Sequence, residues 1–119
     1  MRVATKLYFP VPPSVNELFF NLPGRGRAKT AKYKKWIKAA DVYMLAQKPL
    51  PSFRGKLALH ITVPLKTRGD TSNRIKAIED YLVRVSVTED DRHNWKVCCQ
   101  KQGVECYVEI VVDSQPDMG

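Results

Sequence analysis

The sequence predicts an α+β fold, a single small domain in which a mixed β-sheet of about four strands carries two main helices packed on it. The hydrophobic periodicity changes along the chain in the order β-α-β-α-β-β, without the sustained βαβ alternation of a parallel α/β fold. The chain has 119 residues, 44% of them hydrophobic, which is enough for one modest core. No internal repeat or low-complexity segment interrupts this pattern.

The first half of the chain predicts one strand and one helix. Residues 2–9 read as a strand, which ends where prolines 10, 12 and 13 remove backbone donors. Residues 18–27 are expected to form a loop, because Asn, Pro and Gly interrupt them. Thr30 is the expected N-cap of a helix that runs to about Gln47. Its apolar residues recur at helical spacing: Tyr33, Trp36, Ile37, Ala40 and Met44.

The second half predicts a strand, a helix and a closing hairpin. Residues 56–63 alternate apolar and polar side chains like a strand, and a helix should begin near residues 71–73. Residues 95–101 and 104–112 are expected to pair around Gln102-Gly103. That hairpin would place on one face Val104, Cys106, Val108, Ile110 and Val112. The tail, residues 114–119, is expected to be disordered.

Composition excludes several classes of protein. No apolar run approaches the roughly 20 residues that span a bilayer, so no membrane association is expected. The amino-terminal stretch lacks the unbroken apolar region of a signal peptide. Three cysteines, of which Cys98 and Cys99 are adjacent, provide neither a disulfide framework nor the paired ligands of a zinc site. We therefore expect a reducing, cytoplasmic setting.

The charge balance points to an acidic partner. The chain has 20 Lys and Arg against 12 Asp and Glu, a formal net charge of +8, and nucleic acid is the polyanion that such a balance most often serves. The densest basic run has Tyr33 and Trp36 interleaved and glycines beside its arginines, which lets backbone approach phosphates closely. An amphipathic helix with a solvated basic face is the alternative. The run comprises Arg25, Arg27, Lys29, Lys32, Lys34, Lys35 and Lys38.

Half of the acidic residues nevertheless fall within the window of residues 70–91. They are Asp70, Glu79, Asp80, Glu89, Asp90 and Asp91. Magnesium prefers hard oxygen ligands, usually one or two carboxylates together with water and phosphate oxygens. A basic chain that concentrates carboxylates beside Lys76 therefore indicates a metal-dependent phosphodiesterase.

Each of these residues also has an ordinary structural interpretation. Asp70 or Ser72 would cap the helix that follows. Lys76 lies three and four residues before Glu79 and Asp80, so it would form an intrahelical ion pair rather than contact a phosphate. The acidic triplet at residues 89–91 would be a solvated turn. The pattern of residues alone leaves these alternatives open.

The chain resembles the RusA family of Holliday junction resolvases over nearly its whole length. Residues 12–16, Pro-Pro-Ser-Val-Asn, are similar to the family's P-P-S-x-N signature after the first strand. The block Asp70-Thr71-Ser72-Asn73-x-x-Lys76 follows, then Asp80 with Leu82, and then Asp90-Asp91. Each motif is short, but the four occur in the family's order and spacing.

The resemblance implies a homodimeric, structure-selective endonuclease that resolves branched DNA. It would use Mg²⁺, with Mn²⁺ as a substitute, to cut two opposed strands of a four-way junction in a bacterial or phage-infected cell. The implied catalytic residues are Asp70, Lys76 and Asp91, and the implied metal ligands are Asp70, Asp80, Asp90 and Asp91. Asn73 would support the loop and Asn16 would lie near the DNA path. With them, the expected DNA-binding residues are Arg25, Arg27, Lys29, Lys32, Lys34 and Lys35.

One position departs from the family pattern D-x-D-N-x-x-K, since Ser72 stands where the second acid is usual. A hydroxyl is a poorer ligand for a hard dication than a carboxylate. Either Glu79 or Asp80 compensates, or water fills the position, or cleavage is weak or absent. In the last case the chain would be a non-catalytic nucleic-acid-binding protein. We expect compensation, with Asp70, Asp80 and Asp91 lining one acidic pocket.

Overall fold

The computed structural model describes residues 2–89 and 94–112 and has the predicted α+β architecture. The structure has two short 3-10 turns, the Val15 turn (Val15–Glu17) and the Thr71 turn (Thr71–Arg74). The Thr71 turn leads directly into the second helix. The strands and helices are β1 (Arg2–Tyr8), β2 (Phe19–Leu22), β3 (Gly26–Lys29), α1 (Ala31–Ala46), β4 (Leu57–Val63), α2 (Ile75–Arg84), β5 (Asn94–Lys101) and β6 (Tyr107–Val112).

Four strands form one mixed sheet in the order β1-β6-β4-β5. β6 pairs antiparallel with both β1 and β4, whereas β5 pairs parallel with β4. The parallel pair requires a crossover, and α2 provides it between β4 and β5. β4 is a central strand of this sheet, and nearly all of its residues are buried, with only His60 partly exposed. The prediction of a four-stranded mixed sheet with two helices is confirmed.

The predicted hairpin between residues 95–101 and 104–112 is wrong, since β4 lies between the two strands. The connection crosses the carboxyl end of β4 instead. There the Gln102 N–H donates to the Val63 carbonyl (2.9 Å), and the Leu65 N–H donates to the Gly103 carbonyl (2.9 Å). Val104, expected on the apolar face, lies in this connection and is 85% exposed. The alternation of apolar and polar residues predicted both strands, but it carries no information on whether another strand lies between them in the sheet.

The loop expected at residues 18–27 is also wrong, because β2 and β3 form a second, two-stranded sheet. Pro23 and Gly24 occupy the centre of its turn, which closes with a hydrogen bond from the Arg25 N–H to the Leu22 carbonyl (3.0 Å). Gly24 has φ +69°, the left-handed conformation that a type II turn requires after proline. The breakers therefore marked a turn between two short strands rather than an unstructured loop.

Both helices pack on the same face of the main sheet. Alternate residues of β4 point toward them, and the buried side chains of α1 and α2 belong to the same core. Three aromatic rings, from the segment after β1 and from the two helices, pack together. The ring centres of Phe9 and Trp36 are 6.2 Å apart, and the ring centre of Tyr81 lies 5.6 Å from each. The core therefore fixes α2, and with it the position of the Thr71 turn.

Two further expectations concern membrane association and the carboxyl-terminal tail. No helix in the described part of the chain is long and apolar enough to cross a membrane. Residues 114–119, expected to be disordered, lie outside the described residues.

Candidate functional site

Arg74 joins two of the four motifs on which the resemblance depends. Its Nη1 donates to the Pro12 carbonyl (2.6 Å), and its Nη2 donates to the Arg68 carbonyl (3.0 Å). The Val15 turn packs against the Thr71 turn beside this contact. Segments about sixty residues apart in sequence therefore form one surface. The sequence analysis did not identify Arg74, because it stands at a variable position of the motif. Its place next to Asn73 was the one sequence feature that could have indicated a role.

The carboxylate of Glu17 stabilises the Val15 turn. Glu17 Oε1 accepts hydrogen bonds from the Ser14 hydroxyl (3.0 Å) and the Ser14 N–H (3.3 Å), and Lys32 forms a salt bridge with Oε2. The Lys32 ammonium, followed by the two Ser14 donors, lowers the pKa of Glu17 to about 2. Asn16, an expected DNA contact, is exposed on this rigid turn, whereas Lys32 is already engaged with Glu17.

The Thr71 turn forms without a capping hydrogen bond from the Asp70 carboxylate. Asp70 occupies the N-cap position with extended backbone (φ −74°, ψ 140°), yet its side chain makes no capping hydrogen bond. The turn is closed instead by the Asn73 N–H donating to the Asp70 carbonyl (3.1 Å). Gly69, at φ +83°, provides the chain reversal just before it. The capping alternative for Asp70 is therefore not realised, and both Asp70 and Ser72 are exposed.

Lys76 forms the expected ion pair with Asp80. The distance from Nζ to Oδ1 is 3.2 Å, one helical turn along α2, and both side chains are partly exposed. Such an exposed pair is worth only about 0.3–0.5 kcal/mol, so an incoming phosphate could displace the carboxylate at small cost. The ion pair and the proposed contact with phosphate are therefore compatible.

The proposed metal site is only partly within the described structure. Among residues 2–89 and 94–112, no group of three or more His, Cys, Asp or Glu side chains could hold a metal ion. Asp70 offers an oxygen ligand of the kind that magnesium prefers, but one carboxylate does not make a site. Asp90 and Asp91 lie outside the described residues, so the pocket expected between Asp70, Asp80 and Asp91 remains a prediction. Their roles as ligands remain predictions.

The basic run is exposed on two adjoining elements, the β2–β3 hairpin and α1. Arg25 lies at the hairpin turn, and the Arg27 guanidinium lies 4.5 Å from the centre of the Phe19 ring, a cation–π contact. One face of α1 packs against the core, so the lysines on its other face project into solvent. The exposed basic side chains are Arg25, Arg27, Lys29, Lys32, Lys34, Lys35 and Lys38. Binding of DNA to them remains a prediction.

A cavity of about 280 Å³ lies where the hairpin and α1 meet α2. It includes the expected DNA-binding residue Lys29 and the expected ligand Asp80, but Arg84 and the aromatic residues were not predicted to take part. Arg84 had one sequence signal, its spacing of four residues from Asp80 on the same helix. The lining residues are Phe19, Lys29, Tyr33, Ile37, Asp80, Tyr81 and Arg84.

Comparisons with known proteins assign no family to this chain. No protein-family model matches it, and no curated protein is a significant match. The resemblance to the RusA family therefore depends on the motif residues alone.

Proposed function

We propose that this protein is a magnesium-dependent, structure-selective DNA endonuclease of the RusA type, which acts as a homodimer on four-way junctions or other branched DNA. The observation that carries the proposal is the pair of hydrogen bonds from Arg74 to the Pro12 and Arg68 carbonyls. They hold two separate motifs together at the point where Asp70 is exposed and uncapped. The two motifs therefore contribute to one surface, as a shared site requires.

Asp70 and Asp91 would hold the metal ion, with Asp80 or Asp90 beside them. When bound, Mg²⁺ supplies Lewis-acid chemistry and lowers the pKa of a bound water. Lys76, in the first turn of α2, would exchange its pairing with Asp80 for a nonbridging oxygen of the scissile phosphate and stabilise the charge that develops there. Asn73 would support the turn that carries Asp70.

The exposed basic residues of the hairpin and α1 would bind the DNA backbone, and Asn16 would lie along the same path. Such contacts position a nuclease without reading sequence, which suits recognition of a branch by its shape. A homodimer fits a two-fold symmetric junction, because each protomer presents one site to one of two equivalent strands. Charge reversal at Arg25 and Arg27 should weaken junction binding and reduce its salt dependence.

The deciding experiment is cleavage of a four-way junction with magnesium, manganese or EDTA. We expect cuts in two opposed strands with either metal ion, none in EDTA, and little cleavage of a linear duplex of the same sequence. Equal cutting of the linear duplex would contradict the structural selectivity. Absence of cleavage at every metal concentration would contradict the nuclease itself.

The second candidate is a non-catalytic protein that binds branched nucleic acid. It is favoured by Ser72, which stands in place of the usual acid. This protein would bind a junction equally well in EDTA and magnesium and would not cut it. Failure of both the wild type and Ser72→Asp to cleave, with binding intact, would establish this alternative.

A further inference from the structure

The cavity between the hairpin and α2 carries an excess of positive charge. Lys29 enters it from β3 and Arg84 from the last turn of α2. Within residues 2–89 and 94–112 neither cation takes part in a salt bridge, whereas the one acid in the lining, Asp80, is paired with Lys76. Two exposed cations that converge on one concavity favour an anionic ligand.

The remaining lining suits a phosphate rather than a bare ion. Tyr33 is only 3% exposed, and its hydroxyl has no hydrogen-bond partner in the described part of the chain. Burial, and then the nearby charge of Asp80, raise its pKa, so the hydroxyl keeps its proton and can donate. Phe19 adds an apolar wall to the cavity. A phosphate oxygen could accept from Tyr33 and from both cations at once.

The position of the cavity along α2 relates it to the proposed catalytic lysine. Lys76, Asp80 and Arg84 follow one another at intervals of four residues, so they lie on one side of the helix. Eight residues separate Lys76 from Arg84 in sequence, about 12 Å along the helix axis. A DNA strand carries one phosphate per nucleotide, so a strand that follows α2 would place phosphates a few nucleotides apart at these two residues.

We propose that this cavity binds a backbone phosphate of the DNA strand that passes Lys76, a few nucleotides from the cleaved bond, with Lys29 and Arg84 as its ligands. The inference rests on the proposed nuclease function and adds a position of substrate recognition to it. A second fixed phosphate sets the direction in which the strand crosses the site. The cavity would therefore determine which strand at a branch reaches Asp70.

The test is a four-way junction in EDTA in which single phosphates near the branch are replaced, one at a time, by neutral methylphosphonates. Wild type is compared with Lys29→Gln, Arg84→Gln, Arg84→Lys and the control Lys96→Gln. Lys96 is exposed on β5, where the neighbouring Val97 packs against the core, so Lys96 points to the opposite side of the sheet. Thermal unfolding of each variant confirms that it is folded.

We expect one methylphosphonate position to reduce wild-type affinity severalfold, because the neutral group leaves these cations without a charge to neutralise. Lys29→Gln and Arg84→Gln should bind the unmodified junction with about that reduced affinity and be insensitive to this one position, whereas Arg84→Lys and Lys96→Gln should keep the wild-type response. If both Gln variants keep the wild-type response at every position, the cavity does not hold a phosphate. Because the assay needs no metal ion, this result is independent of failure to cleave.

Discussion

The two 3-10 turns that pack together beside the Arg74 contact differ in how their acidic residues are used. Both begin after a residue with extended backbone, Ser14 at φ −69° and Asp70 at φ −74°. In the Val15 turn, Glu17 accepts hydrogen bonds from Ser14 and forms a salt bridge with Lys32. In the Thr71 turn, Asp70 accepts a hydrogen bond at its backbone carbonyl, and its carboxylate makes no capping hydrogen bond in the described part of the chain. The first carboxylate has a structural role, and the second is left available.

This difference explains how one small surface can combine a rigid turn with an exposed carboxylate. A carboxylate that stabilises its own turn cannot also bind a metal ion without loss of that stability. By holding the Thr71 turn through Arg74 and the Asn73 N–H, the fold leaves the side chain of Asp70 uncommitted. The following four predictions test that division, starting with the largest expected effect.

Asp70→Asn should reduce metal-dependent cleavage at least about a hundredfold, because an amide is a weak ligand for a hard dication. Junction binding in EDTA should change little, since the basic surface is untouched. Gel assays of cleavage and binding on one junction measure both quantities. Glu17→Gln is the matched control and should keep most of the cleavage. Equal losses in the two variants would show that both acids are structural.

Arg74→Met should lower the free energy of unfolding by about 2–3 kcal/mol, because it leaves the Pro12 and Arg68 carbonyls without their charged donor. Urea denaturation measures the change. Arg68→Met is the control, since Arg68 contributes only its backbone carbonyl to this contact and its side chain is exposed; we expect a change within about 0.5 kcal/mol. A similar small change for Arg74→Met would show that the two turns do not depend on this contact.

Ser72→Asp should lower the magnesium concentration for half-maximal cleavage about three- to tenfold, because one more carboxylate next to Asp70 strengthens a dication site. Ser72→Asn, which alters shape without adding charge, should have no such effect. A magnesium titration of the initial cleavage rate distinguishes them. If Ser72→Asp cleaves no better at any concentration, another acid already fills this position.

Glu17→Gln should make stability less dependent on pH in the acid range. The folded protein holds the pKa of Glu17 at about 2, below its ordinary value of 4.5. The stabilisation is therefore complete above about pH 4.5 and is lost as the pH falls toward 2. Urea midpoints between pH 2 and pH 6 should converge for wild type and Glu17→Gln at the acid end. A constant difference over this range would mean that the Lys32 pairing does not stabilise the turn.

The extents of the main elements could be predicted from the sequence because local patterns determine them. The expected helix capped by Thr30 corresponds to α1, where the Tyr33 N–H donates to the Thr30 hydroxyl (3.1 Å). The strand expected at residues 56–63 corresponds to β4. Each depends on periodicity or capping within a few residues, which is the range over which a sequence pattern is reliable.

The errors arose where distant segments decide the result. The pairing of β5 with β4 rather than β6 depends on the crossover made by α2, and alternation in residues 104–112 carries no information about it. The same holds for the site: the residues that hold Asp70 in place could not be found from spacing, because Arg74 reaches back to Pro12. Spacing correctly suggested the Lys76–Asp80 pair, since both partners lie on one helix.

The pairing of β1 with β6 has a consequence for synthesis of the chain on the ribosome. Tyr8 lies opposite Tyr107, so about a hundred residues must be added before β1 meets the strand that completes its hydrogen bonding. At roughly 5–20 residues per second this takes about 5–20 s. During that interval β4 also lacks β6, and α2 has only part of the surface on which it finally packs. Nascent chains that stall before Tyr107 therefore expose unpaired strand edges, the state in which chains most readily associate with one another.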